Sequence, residues 1–185
     1  MHEPVEGSTP LGHLQGFGPW GRRLLTVSRV VAVIGALVFV ALVAMSIVSI
    51  VGRKLASSPV PGDVEILQMC AAFATASFFA YCHLVGGDVK VDFFTSRASA
   101  GAVRVLDAFG SFLFGSVGSV LAWRSLVGAL AVREAGETSV ILGWPVWVAQ
   151  VLMVPGLVLM GLAGFYMAGA YLRAPADRKH HEVST

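Results

Sequence analysis

Few residues in this chain are equipped for chemistry, and most of them lie near its ends. Of the five histidines, His2, His13, His180 and His181 fall in the terminal segments, and only His83 lies inside an apolar run. Holding haem between two imidazoles inside a helical bundle needs two such residues on facing helices. His83 has no second ligand in the sequence and reads as a solvated boundary residue. Cys70 and Cys82 are twelve residues apart on one predicted helix. At 1.5 Å per residue that is about 18 Å, out of disulfide reach. Neither cysteine stands at metal-ligand spacing from a histidine. There is no glycine loop followed by Lys-Ser/Thr, no zinc-protease motif and no Ser-His-Asp set spaced to suggest a nucleophile. No catalytic, cofactor-binding or metal-ligating residues are therefore assigned, no cofactor is expected, and the chain does not read as an enzyme.

The remaining polar groups mark the borders of apolar runs. Arg53 and Glu65 flank one short loop and can pair with each other, meet a partner protein, or stay solvated. Asp88, Lys90 and Asp92 follow Gly86-Gly87, where they anchor the loop, contact a partner or form a solvated turn. Glu137 and Ser139 precede Trp144-Pro145 and are better placed to cap the approach to the last run than to bind a ligand. Arg104 and Asp107, one helical turn apart, can pair.

The elements that hold these groups are set by lipid. Hydrophobic residues make up 56% of the 185 and charged ones only 13%, against roughly a quarter in soluble domains. About 20 apolar residues of helix cross a hydrocarbon core, and four segments qualify: about 30–51, 64–85, 105–124 and 144–172. The chain therefore reads as an all-α membrane protein with four transmembrane helices. Residues 1–29 form an N-terminal segment, 30–172 a membrane domain and 173–185 a tail. The first span is too long for a cleaved signal peptide and lacks a small-x-small cleavage site. Asp63 is a candidate N-cap for span 2 and Glu65 falls in its first turn, where the helix dipole favours an anion. Val89 to about Ala102 alternates apolar and charged residues and is too short to span. It is expected to lie along the interface as an amphipathic helix.

Contact surfaces are legible as well. Ser111, Gly115 and Ser119 recur every four residues on span 3, and Gly161, Gly164 and Ala168 form a second small-residue face on span 4. Small residues let helix backbones approach closely in lipid. Pro155-Gly156 removes one backbone donor and predicts a kink in span 4. Asp107 and Arg124 bracket span 3. Beyond Arg124 the helix is expected to continue as an amphipathic extension to about Arg133, which puts Trp123 and Arg124 at an interface. Nine Lys and Arg flank the side carrying both termini and four flank the other. The positive-inside rule then sets both termini in the cytoplasm.

Specific residues carry a family resemblance. Arg53 through Pro61 and Glu65, then Gly86-Gly87-Asp88-Val89-Lys90-Val91-Asp92, resemble the small permease subunit of tripartite ATP-independent periplasmic (TRAP) transporters. In that family an Arg closes span 1, a Glu opens span 2, and a Gly-His-Ile-Arg-Val-Asp-like motif follows it. Here Asp88 stands for the His and Lys90 for the Arg. A second match runs from Gly136-Glu137-Thr138-Ser139 through Leu142-Gly143-Trp144-Pro145-Val146-Trp147, similar to the family's Glu-x-Ser and Pro-x-Trp entry to span 4. The resemblance covers roughly residues 25–172. It implies a bacterial inner-membrane subunit bracing a large, many-span, sodium-coupled permease, with a periplasmic binding protein delivering an organic acid. The residues alone leave two other readings open: a membrane anchor for a redox enzyme, or a stand-alone structural tetraspan protein.

Overall fold

The computed structural model describes residues 18–57, 60–88 and 99–173. They form four helices: α1 (Pro19–Ala56), α2 (Asp63–Leu84), α3 (Ala100–Glu134) and α4 (Val146–Arg173). Each is long and apolar enough to cross a membrane. Lys90 and Asp92, with most of the expected interfacial helix, lie outside the described residues. The end of that segment, from Ala100, is the first turn of α3 instead, with the Ser99 hydroxyl accepting the Ala102 N–H at 3.3 Å.

Local chemistry sets the helix ends. α1 opens with Pro19, whose missing N–H would be unpaired in a first turn anyway. It closes with Arg53 and Lys54 in the last turn, beside the negative end of the helix dipole. The N-cap of α2 is Gly62, not Asp63 as its type suggests. Gly62 adopts φ 71°, a left-handed conformation that glycine reaches without strain, and this turn makes Asp63 the first helical residue. α3 passes Arg124 without interruption to Glu134, and α4 passes Pro155 as one helix.

α4 is the central element. It packs most extensively on α3 and then on α2, while α1 packs on α2 and meets α4 only marginally. Missing side chains make this packing close. A Cβ added to Gly161 would lie 2.7 Å from the Ser119 hydroxyl, and one on Gly115 would lie 2.9 Å from the Phe165 nitrogen. On the other side of α4, a Cβ on Gly156 would come within 2.7 Å of the Ala76 carbonyl. Two small cores fill the remaining space. Ala80, Leu84, Ala163 and Met167 form one, toward the end where α1 begins and α4 finishes; Ala76, Ala122, Leu157 and Met160 form the other, at mid-height. The outward faces carry aliphatic side chains such as Leu37, Val40 and Val120, each more than half exposed. Such a surface is suited to lipid.

Candidate functional site: the acidic first turn of α2

The α1–α2 and α3–α4 connections share one end of the bundle, and the first turn of α2 ties both down. Ser49 is buried on the last turns of α1. Its hydroxyl donates to Asp63 Oδ2 at 2.5 Å and accepts the Val60 N–H at 3.3 Å. Arg53, one turn further along α1, reaches the same carboxylate oxygen with Nη2 at 3.2 Å. The other oxygen accepts the Val64 N–H at 2.8 Å. Asp63 is thus the hub of the first connection, and Arg53 pairs with it and not with Glu65.

Glu65 serves the other connection. Its carboxylate accepts the N–H groups of Ile141 and Leu142 at 2.8 and 3.0 Å. Hydrogen bonds to an ionised acceptor are shorter and stronger than neutral ones, so one side chain fixes the backbone of a loop more than 70 residues away. Leu142 also rests on Gly62, where an added Cβ would fall 2.5 Å from Leu142 Cγ.

The loop is itself closed by hydrogen bonds. Thr138 and Pro145 form an antiparallel bridge. The Ser139 N–H donates to the Trp144 carbonyl at 2.8 Å, and the Ser139 hydroxyl accepts the Trp144 N–H at 3.1 Å. The Glu137 carbonyl accepts the Val146 N–H at 3.3 Å at the start of α4. Glu137 therefore contributes through its backbone, Ser139 through both backbone and hydroxyl, and Pro145 by ending the turn. These groups can brace a loop, and they converge on no cavity.

The other sequence-selected residues lie elsewhere. Ser111, Gly115 and Ser119 face α4 inside the chain, against the Gly161–Gly164 face. Asp88 meets His83 Nδ1 at the opposite end of α2. His83 is buried, not solvated as expected, at 8% exposure. Its ring stacks on Phe114 of α3 with centroids 4.2 Å apart. Cys70 and Cys82 are free thiols.

Sequence reasoning missed Asp63 as a hub, Ser49 beneath it and the His83–Asp88–Phe114 contact. Ser49 and Arg53 stand four apart, so they share a helix face. That spacing, with an acid just past the loop, was the available signal. Nothing in the sequence pairs His83 with Phe114.

Residues 42–173 match the family described as tripartite ATP-independent periplasmic transporters, DctQ component. No curated protein and no solved structure matches the chain.

Proposed function

Because the chain belongs to the DctQ family, the small component of tripartite ATP-independent periplasmic transporters, we propose that it is a static brace for a large permease subunit. In this reading the large subunit couples organic-acid import to sodium, and a periplasmic protein delivers the substrate. The small subunit sits in the bacterial inner membrane with both termini in the cytoplasm.

The observation that carries the bracing role is the interior of the bundle. At mid-height it is filled by Ala76, Ala122, Leu157 and Met160, with helix backbones near contact on both sides of α4. A path for an anion or a cation displays polar or ionisable groups at that depth, and this core offers apolar atoms in their place. Loops tied to α2 by Asp63 and Glu65 suit a part that holds its shape while a neighbour moves.

Purification of the tagged chain in mild detergent from its native membrane tests the reading. A large hydrophobic permease in near-equal amount is the expected companion. A chain that travels alone, or with a flavoprotein, overturns it.

A further inference from the structure

Among the described residues, Arg124 is the charged one whose position the apolar pattern does not explain. As the end of a span it should lie at an interface, but the packing puts it deeper. α3 runs antiparallel to α4, with Gly118 against Gly161 and Gly128 nearest Gln150. Interpolation between these contacts sets Arg124 level with Pro155, near the middle of the uncharged run 144–172. Gly156 in turn touches Ala76, midway along α2. α4 and α2 thus agree that Arg124 and its neighbour Trp123 are near mid-depth. Arg133, whose guanidinium lies over the Trp147 ring, marks the border nine residues on, about 13 Å along the helix.

The side chain of Arg124 also points the wrong way for an internal role. Ala122 and Ala129 are buried toward α4, and Arg124 is exposed on the opposite face of α3. Its neighbours on that face are Val117, Val120 and Val127, between 41% and 59% exposed. Among the described residues Arg124 makes no hydrogen bond or ion pair. A guanidinium surrounded by hydrocarbon is costly, and such residues pair with another group. Snorkelling relieves the cost near a helix end, but the border is too distant here for the side chain to span.

We infer that the outward face of α3 around Arg124 docks against the large permease subunit, through a transmembrane helix that presents a carboxylate at mid-depth. This rests on the proposed role of the chain as that permease's brace. Charge complementarity selects the occupant. An acid is the group that neutralises a guanidinium in a dry site, and Arg binds it through two parallel N–H donors. The flanking valines supply the apolar contact beside the pair. One buried ion pair then sets both the register and the partner helix.

The experiment extends the co-purification with Arg124→Leu and Arg124→Glu. Leu is compatible with lipid, so the isolated Arg124→Leu chain should insert and unfold in detergent at a temperature no lower than wild type. The permease recovered with it should fall by about tenfold or more, as expected when one member of a buried charge pair is removed. Arg124→Glu should lose the permease at least as fully. A permease carrying an Asp→Arg or Glu→Arg substitution should restore binding to Arg124→Glu at one position. If wild type and Arg124→Leu recover equal permease, the docking face is wrong and the bracing role stands. If wild type recovers none, both fall. A wild-type chain that forms stable pairs by itself, abolished by Arg124→Leu, assigns the face to a second copy and overturns the proposal.

Discussion

A single carboxylate can matter more than the salt bridge it makes, and Asp63 shows why. Three groups converge on it: the Ser49 hydroxyl, the Val64 N–H and the Arg53 guanidinium. The first two are short, and Ser49 also holds the Val60 N–H. The Arg53 side chain is 59% exposed, and exposed ion pairs contribute little once screened by water and salt. Asp63→Ala should therefore loosen the α1–α2 connection, and Arg53→Gln should not. Hydrogen–deuterium exchange read at the Val60 amide checks this. Exchange should quicken several-fold in the first variant and stay near wild type in the second. Equal acceleration in both would make the ion pair the true tether. This partnership was only half legible in the sequence. Residue types put Asp63 at the helix cap and left Glu65 as one possible mate for Arg53. The left-handed turn at Gly62 takes the cap position, moves Asp63 onto the helix beside Ser49, and frees Glu65 to reach a loop far along the chain. Glycine's access to that conformation is a known freedom, but nothing local says when a chain uses it.

At the level of helices, the sequence was most informative where one residue type repeats. The small-residue rows on α3 and α4 were both evident from spacing; what spacing cannot say is that each is the other's partner. The structure joins them within one chain, so these surfaces are consumed in holding the bundle and are not available to a neighbour. Gly115→Ala tests this join at the smallest scale. The added methyl would meet the Phe165 nitrogen at 2.9 Å and the Gly161 carbonyl at 3.0 Å, both backbone atoms that cannot rotate away. Overpacking of this kind costs about 1–3 kcal/mol. Gly110, on the same helix, has open space around an added Cβ. Gly110→Ala should cost nothing and can gain up to about 1 kcal/mol in helix propensity. Thermal or denaturant unfolding in detergent separates the two. A Gly115→Ala chain as stable as Gly110→Ala would show that α3 and α4 stand further apart. Arg124 shows the opposite limit of sequence reading. A charge reads as the end of a span because lipid excludes it, so the apolar residues beyond it, Leu126 to Val132, read as an amphipathic extension. Continuous packing of α3 on α4 carries that stretch along the bundle and leaves the charge inside the apolar band.

The whole molecule has an uneven charge distribution that the depth of Arg124 sharpens. The side bearing both termini is flanked by nine basic residues: Arg22, Arg23, Arg29, Lys90, Arg97, Arg104, Arg173, Arg178 and Lys179. With Arg124 moved into the apolar band, the other side keeps three, Arg53, Lys54 and Arg133. Retention of Lys and Arg in the cytoplasm orients membrane proteins chiefly through short loops near span ends, and all twelve residues lie in such positions. The membrane potential acts in the same direction, because carrying each positive charge outward works against it. Orientation should thus withstand the loss of any one cation and yield only to a combined change. Alkaline phosphatase fused after Arg173 should be inactive and a fluorescent protein at that point bright. Phosphatase inserted in the α3–α4 connection at Gly136 should be active. Replacing Arg22, Arg23 and Arg29 together by Gln should produce a mixed population, because three of nine cations are then gone from the segment that enters first. An active phosphatase after Arg173 in the unaltered chain would invert the assignment. Activity at only one of the two fusion points, in either orientation, is what a single crossing of the membrane by α4 requires.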